Sequence, residues 1–266
     1  MPASALHTLG QSGEKGRSYP SDRYGENLQR FSQVIKVLHL LDGELPETRP
    51  APRLYLSTPV VDDPAQLAAS LASALAAADV AAVLLRLAPA DQRTMLTRAK
   101  ALAAVIQAGG GAALLDGNVE LVARSGADGA HVTGIAAMED ALPSLKPDRI
   151  IGVGGLATRH DSMAAGEAGA DYVLFGERDA KGQRPSIEAI AERLQWWAEL
   201  FEPPCIGFAE SQEEAHEFVA AGADFVLVGD FIWADPRGAA AALSEVEQTI
   251  QQAFAQSSGK VAAGQE

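Results

Sequence analysis

Cysteine is almost missing from this chain. A single residue, Cys205, stands in 266, so no internal disulfide can form. Positive charge is also scarce: 21 Lys and Arg face 35 Asp and Glu, for a net charge of −14 and a pI near 4.8. Such a surface repels a phosphate backbone or an anionic bilayer, which argues against nucleic acid and membrane partners. Long apolar runs are absent too. The most apolar window, Leu67 to Leu87, carries Asp79 and Arg86, and reads as an Ala-rich helix running into a buried strand rather than a membrane span. The polar opening MPASALHTLGQSGEKGRS holds no apolar secretory core, so the expected compartment is the cytoplasm.

What is present is core-forming material: 47% of the residues are apolar, ample for one large domain. Residues 1–52 read as a polar tail, an amphipathic helix and a Pro-rich linker. Phe31, Val34, Ile35, Leu38 and Leu41 mark the helix, and LPETRPAPR the linker. Residues 257–266 read as a second disordered tail. Between them, 53–256 alternates short apolar runs with longer Ala-rich stretches of helical period. The runs fall at 53–59, 81–87, 111–116, 128–132, 149–153, 171–176, 204–208 and 224–229. Eight strands, each followed by a helix, predict a parallel (β/α)8 barrel, with a doubly wound open sheet as the other topology.

One phrase returns three times: SGADGAHV from Ser125, AGADYVLFG from Ala168 and AGADFVLVG from Ala221. Gly126, Gly169 and Gly222 are placed to end a helix in the left-handed conformation, and Asp128, Asp171 and Asp224 to open the next strand. The phrase precedes strands four, six and eight, on the N-terminal face of the barrel. That face carries stability, so chemistry is sought at the opposite strand ends.

At those ends Arg86 stands in an otherwise apolar strand and needs an anion, from a ligand or a neighbouring carboxylate. Asp116 closes strand three in LLDGN, placed either to bind Mg2+ or to accept turn N–H groups. His131 sits near the expected mouth on strand four, as catalyst or as a satisfied core side chain. Gly152, Gly154 and Gly155 in IIGVGGLATRHD, with Gly176 and Gly229, permit close backbone approach to a ligand or a sharp strand-to-helix turn, and Thr158 is placed to cap the next helix. GERDAKGQRP gathers Arg178, Lys181 and Arg184, which points to an anionic ligand, a small metabolite, unless Glu177 and Asp179 pair with them.

The series RLYLST, ARSGADGAHV, RIIGVGG, AGADYVLFG and AGADFVLVG resembles the thiamine phosphate synthase family, with its related thiazole tautomerases, over nearly the whole barrel. The resemblance implies a Mg2+-assisted transferase. Pyrophosphate leaves an aminopyrimidine methyl group, and the nitrogen of a thiazole phosphate takes up the resulting cation. By the same resemblance Asp116 would hold the metal, Arg86 and Arg184 would neutralise pyrophosphate, and His131 would line the pyrimidine site. The family's second metal aspartate falls on Ala136. Its two polar side chains on strand five fall on Gly154 and Leu156, and its phosphate-binding Gly-Gly on strand seven falls on Ala209-Glu210. Two other readings stand beside the transferase. One is a diverged, non-catalytic barrel that binds a small ligand or acts as a partner subunit, including a homo-oligomer; the other is a barrel enzyme using Glu210 and Asp230 with His131 for proton transfer.

Overall fold

A computed structural model gives the arrangement of residues 50–179 and 181–263. The expected N-terminal helix lies outside the described residues. Eight strands follow one another: β1 (Arg53–Ser57), β2 (Val80–Leu85), β3 (Ala112–Asp116), β4 (Gly129–Thr133), β5 (Ile150–Gly154), β6 (Tyr172–Phe175), β7 (Cys205–Phe208) and β8 (Phe225–Val228). They pair in parallel, each with its sequence neighbour, and β1 closes on β8. The chain is therefore a (β/α)8 barrel, and every predicted strand is there.

The outer helices are α1 (Pro64–Ala77), α2 (Gln92–Ala108), α3 (Val122–Ser125, after a 3-10 turn at Val119–Leu121), α4 (Ile135–Leu145), α5 (Arg159–Glu167), α6 (Ile187–Leu200), α7 (Gln212–Ala220), a short α8 (Asp230–Trp233) and the long α9 (Ala239–Ala263). The last of these runs past Ser257, where the sequence suggests that a tail begins. Several start where a side chain accepts one of the orphan N–H groups of the first turn. Asp63, Asp91, Ser186 and Ser211 do so, and Thr158 forms a capping box with Asp161.

Period-two alternation along the strands divides the core into two layers. Leu54, Leu56, Val83, Leu85, Val173 and Val226 point outward to the helices. Tyr55, Leu84, Leu114, Ile150, Tyr172, Ile206 and Phe225 fill the barrel. Tyr55 and Tyr172 are fully buried there.

The repeated phrase has a mechanical role at the N-terminal rim. Gly126, Gly169 and Gly222 take φ of 79°, 98° and 93°, the left-handed conformation that favours glycine. The aspartate that follows reaches back to the preceding strand twice. Its N–H donates to a carbonyl and its carboxylate accepts the N–H of the same residue: Ala113 for Asp128, Ile151 for Asp171 and Cys205 for Asp224, with carboxylate contacts of 2.7, 2.8 and 2.8 Å. Each clasp fixes an even strand to its odd neighbour.

Candidate active site

The mouth is built where inward-facing residues of β3 to β6 run out of barrel. Tyr172 opens β6 and points inward, directly opposite Gly152 of β5. A Cβ on Gly152 would lie 1.8 Å from the Tyr172 ring, so glycine there makes room for the ring. The Tyr172 hydroxyl is 3.0 Å from that of Tyr55 and 3.1 Å from His131 Nδ1, and the imidazole stacks on its ring with centroids 5.7 Å apart. His131 Nε2 faces Glu177 at 3.3 Å, and the other oxygen of Glu177 accepts the Gly155 N–H at 2.7 Å.

In this row a neutral imidazole facing a Glu177 carboxylate would carry its hydrogen on Nε2, accept from Tyr172 at Nδ1, and leave Tyr172 to accept from Tyr55. Burial pushes both phenols well above their ordinary range, so they remain neutral donors. The row runs from the barrel core to the rim, with His131 only 1% exposed.

Beside it opens a cavity of about 580 Å3 at the exits of β3 and β4, lined by Asp116, Glu120, His131, Thr133 and Asp140 among others. Its charged lining is acidic throughout. Asp116 and His131 are direct neighbours in the β3–β4 register. Desolvation by the barrel wall, with the Glu177 carboxylate nearby, raises the Asp116 carboxyl above the usual range, against the opposing pull of Arg86.

The cations deduced from sequence are placed differently. Arg86 reaches the mouth, but its Nε donates to the Thr58 carbonyl at 2.5 Å and Nη2 to Asp230 at 2.5 Å. A carboxylate of the chain itself meets it. Arg184 does not face the cavity: its side chain is 9% exposed, it grips Glu214 with both terminal nitrogens (2.8 and 2.7 Å), and it donates to the carbonyls of Gly176 and Phe208. Buried and bound to Glu214 and two carbonyls, Arg184 braces the β6 loop against β7 and α7, away from the cavity, where the family resemblance would set it against pyrophosphate. Desolvation works to raise the Glu214 carboxyl, yet the hydrogen bonds from Arg184 and the Glu210 N–H hold it below the usual range. Arg178 makes a two-point contact with Glu210 at 3.1 and 2.6 Å. Lys181 is exposed on the same loop, its own N–H bound to Asp179.

The glycines likewise serve the chain's own side chains. Gly154 leaves space for Glu177, whose Oε2 would lie 1.7 Å from a Cβ there, and Gly155 donates its N–H to that carboxylate. Gly176, with φ of 100°, lends its carbonyl to Arg184. Gly229 packs on Ser57. Glu210 and Asp230, a candidate acid–base pair in the sequence, are each bound to a different arginine. The sequence offers Glu177 only as a partner for the cations of its own loop, whereas it meets His131 and Gly155, and it does not single out the two tyrosines. The available signal is the register: strand-five glycines beside an aromatic at the start of strand six leave a hole that the aromatic fills.

A family model described as thiamine monophosphate synthase matches residues 54–232. The chain is 40% identical over 202 residues to a thiamine-phosphate synthase of Rhodospirillum centenum, covering 75% of this chain and 98% of the relative. It is 36% identical over 206 residues to the enzyme of that name from Hyphomonas neptunium, covering 74% and 93%. Among solved structures, a thiamine phosphate pyrophosphorylase from Pyrococcus furiosus superposes with a TM-score of 0.62 at 20% identity, over 76% of this chain and 96% of that one, a likeness of fold. With a closed eight-strand barrel and relatives matched over nearly their full length, the chain belongs to the thiamine monophosphate synthase family.

Proposed function

We propose that the chain is a transferase of thiamine biosynthesis, joining an aminopyrimidine methyl pyrophosphate to the ring nitrogen of a thiazole with release of pyrophosphate. The observation that carries this reading is the acid-lined cavity at the β3–β4 exit, where Asp116 and His131 stand side by side. The relatives named thiamine-phosphate synthase support it.

The reaction breaks the bond between the pyrimidine methylene carbon and a pyrophosphate oxygen, whose electron pair leaves with pyrophosphate. The thiazole nitrogen then donates its lone pair to carbon, and no proton need move in that step. The chain's residues therefore act by orientation and charge. His131, held on both sides by Tyr172 and Glu177, presents a fixed ring edge to the pyrimidine. Arg86, paired with Asp230 but still partly exposed, is the guanidinium placed to face departing phosphate oxygens, with exposed Lys181 on the loop after β6.

Mg2+ suits this donor set. The ion takes oxygen ligands and is commonly held by one or two carboxylates, with water and substrate phosphates completing the shell. Asp116, with Asp140 or Glu120 from the same cavity, would hold it. Among the described residues no group of three or more His, Cys, Asp or Glu is gathered to hold a metal ion by itself. The ion would supply charge neutralisation to the leaving group.

The test is pyrophosphate release by the full chain with the pyrimidine pyrophosphate, a thiazole co-substrate and Mg2+. The expected result is turnover that a chelator abolishes and fresh Mg2+ restores, falling roughly 10²-fold or more in Asp116→Ala. No release from well-folded protein with either form of the thiazole, alcohol or phosphate ester, rejects the reading. It would favour a non-catalytic barrel that binds a small anionic metabolite, for which the pairing of Arg86 and Arg178 with carboxylates is the one supporting observation.

A further inference from the structure

The interior of the mouth has no side chain from β5. Ile150 of that strand points into the barrel, and the two inward positions above it are Gly152 and Gly154. Both slots are filled from the β6 side. The Tyr172 ring takes the first, and the Glu177 carboxylate takes the second: a Cβ on Gly154 would lie 1.7 Å from Glu177 Oε2 and 2.9 Å from His131 Nε2. Glu177 therefore joins the side chains that surround the barrel axis at its open end, although its backbone lies in the loop after β6.

Two contacts fix that carboxylate and leave it short of donors. Oε2 accepts the Gly155 N–H at 2.7 Å, and Oε1 faces His131 Nε2 at 3.3 Å. A carboxylate offers about four acceptor positions over its two oxygens, so about two stay open. The side chain is 22% exposed, which lets a ligand reach them. Asp230, Glu210 and Glu214 each meet a guanidinium, whereas among the described residues the ionisable partner of Glu177 is His131. Phosphate oxygens arriving here would meet like charge. A neutral N–H donor suits the open positions.

We propose that Glu177 accepts a hydrogen bond from the exocyclic amine of the pyrimidine, and is thereby the residue that selects an amino-bearing heteroaromatic ring. The proposal rests on the transferase reading above and adds to it the group that recognises the ring. The phosphate oxygens and ring nitrogens of the substrates accept hydrogen bonds, and the amine is the neutral donor. Its N–H against a carboxylate makes a charge-assisted bond. A partly buried acceptor that depends on this donor rejects a ring without it, because the carboxylate is then left short of a partner.

Binding is the readout, because the amine also feeds electron density to the reacting carbon and its removal slows the chemistry whatever holds it. The pyrimidine pyrophosphate, and an analogue with hydrogen in place of the amine, are titrated calorimetrically into the full chain with Mg2+ and no thiazole. The expected result is at least about tenfold tighter binding of the amine, a difference of about 1.4 kcal/mol. In Glu177→Ala that preference should fall to near equality, and in the near-isosteric Glu177→Gln, which keeps one acceptor oxygen, it should narrow. A residue that served only to hold His131 would weaken both ligands alike and leave their ratio in place. Equal binding by the unchanged protein, no binding of either ligand, or an undiminished ratio in the folded variants overturns the proposal. Should Glu177→Ala not fold, Glu177→Gln decides by the same criterion. Pyrophosphate release keeps the two readings apart: turnover with a ratio indifferent to Glu177 sinks this proposal alone, whereas a Glu177-dependent ratio without turnover upholds the recognition and rejects the transferase.

Discussion

The two rims of this barrel solve one problem in opposite ways. At the N-terminal rim Asp128, Asp171 and Asp224 perform the same act three times, each tying an even strand to the odd strand before it through a backbone and a carboxylate bond. At the C-terminal rim no sequence phrase recurs, and the pairings differ in burial and in the strands they join. His131 meets Glu177, Arg86 meets Asp230, Arg178 meets Glu210 and Arg184 meets Glu214, each in a different setting. A repeated local contact reports the needs of the fold, while a set of unlike pairings reports a surface shaped for something outside the chain.

The sharpest way to break that contrast is to find a fold-bearing residue at the mouth. Arg184 is one: Arg184→Ala leaves Glu214, itself 10% exposed, without its guanidinium partner. Removing one member of a buried pair typically costs about 3–5 kcal/mol. Urea unfolding of the variant should show a loss of that size, the largest expected from a single substitution at this rim. A loss below about 1 kcal/mol would return Arg184 to the ligand-facing set.

Gly152→Ala comes next. The added carbon meets the ring of Tyr172 at 1.8 Å in a closed interior, with His131 stacked on the ring and Tyr55 at its hydroxyl. Overpacking of this kind costs about 1–3 kcal/mol. Because the displaced ring holds His131, turnover per folded molecule should fall as well, separating this variant from a purely structural one when stability and pyrophosphate release are measured side by side.

These two residues also mark where the sequence stops being legible. The eight strands are read from local pattern, since runs such as YVLF and FVLV alternate between the barrel interior and the helix layer. The AGAD phrase is equally local, because the glycine ends a helix and the aspartate acts one strand away. Asp116 and His131 could be placed at the mouth by counting to the ends of their strands. The partners of Arg86 and Arg184 could not, as they lie 144 and 30 residues away and are chosen by barrel closure and loop course. The partners of Glu177 were hidden for the same reason: Gly155 and His131 come from the β5 exit and from β4, and only the packed barrel brings the three together.

A smaller effect tests the N-terminal rim through pH. Desolvation raises the Asp128 carboxyl above its ordinary value, against the bonds from Ala113 and Gln107, and its Oδ1 has no hydrogen-bond partner. Below the ordinary carboxylate range, about pH 4, the group is protonated in both folded and unfolded chains. As pH rises the unfolded chain releases the proton first, so this residue's contribution to stability declines until the folded carboxyl has also ionised. Asp128→Asn cannot ionise. Unfolding midpoints measured from acid to neutral pH should therefore move in favour of the variant relative to the unchanged protein as pH increases; a constant or shrinking difference would contradict the raised carboxyl.

Arg178→Ala is the mildest change and separates two cations on one loop. Arg178 is 53% exposed and its pair with Glu210 stands in water, so its loss should alter stability by no more than about 1 kcal/mol. The effect belongs in function. Freed from Arg178, Glu210 keeps only the Arg184 guanidinium at 3.8 Å, so the negative charge it projects beside the β7 exit grows and an anionic substrate should bind less tightly. Stability nearly unchanged with a raised KM for the phosphorylated substrates would show that the loop's two arginines divide between the fold and its substrate. A stability loss as large as that of Arg184→Ala would erase the division.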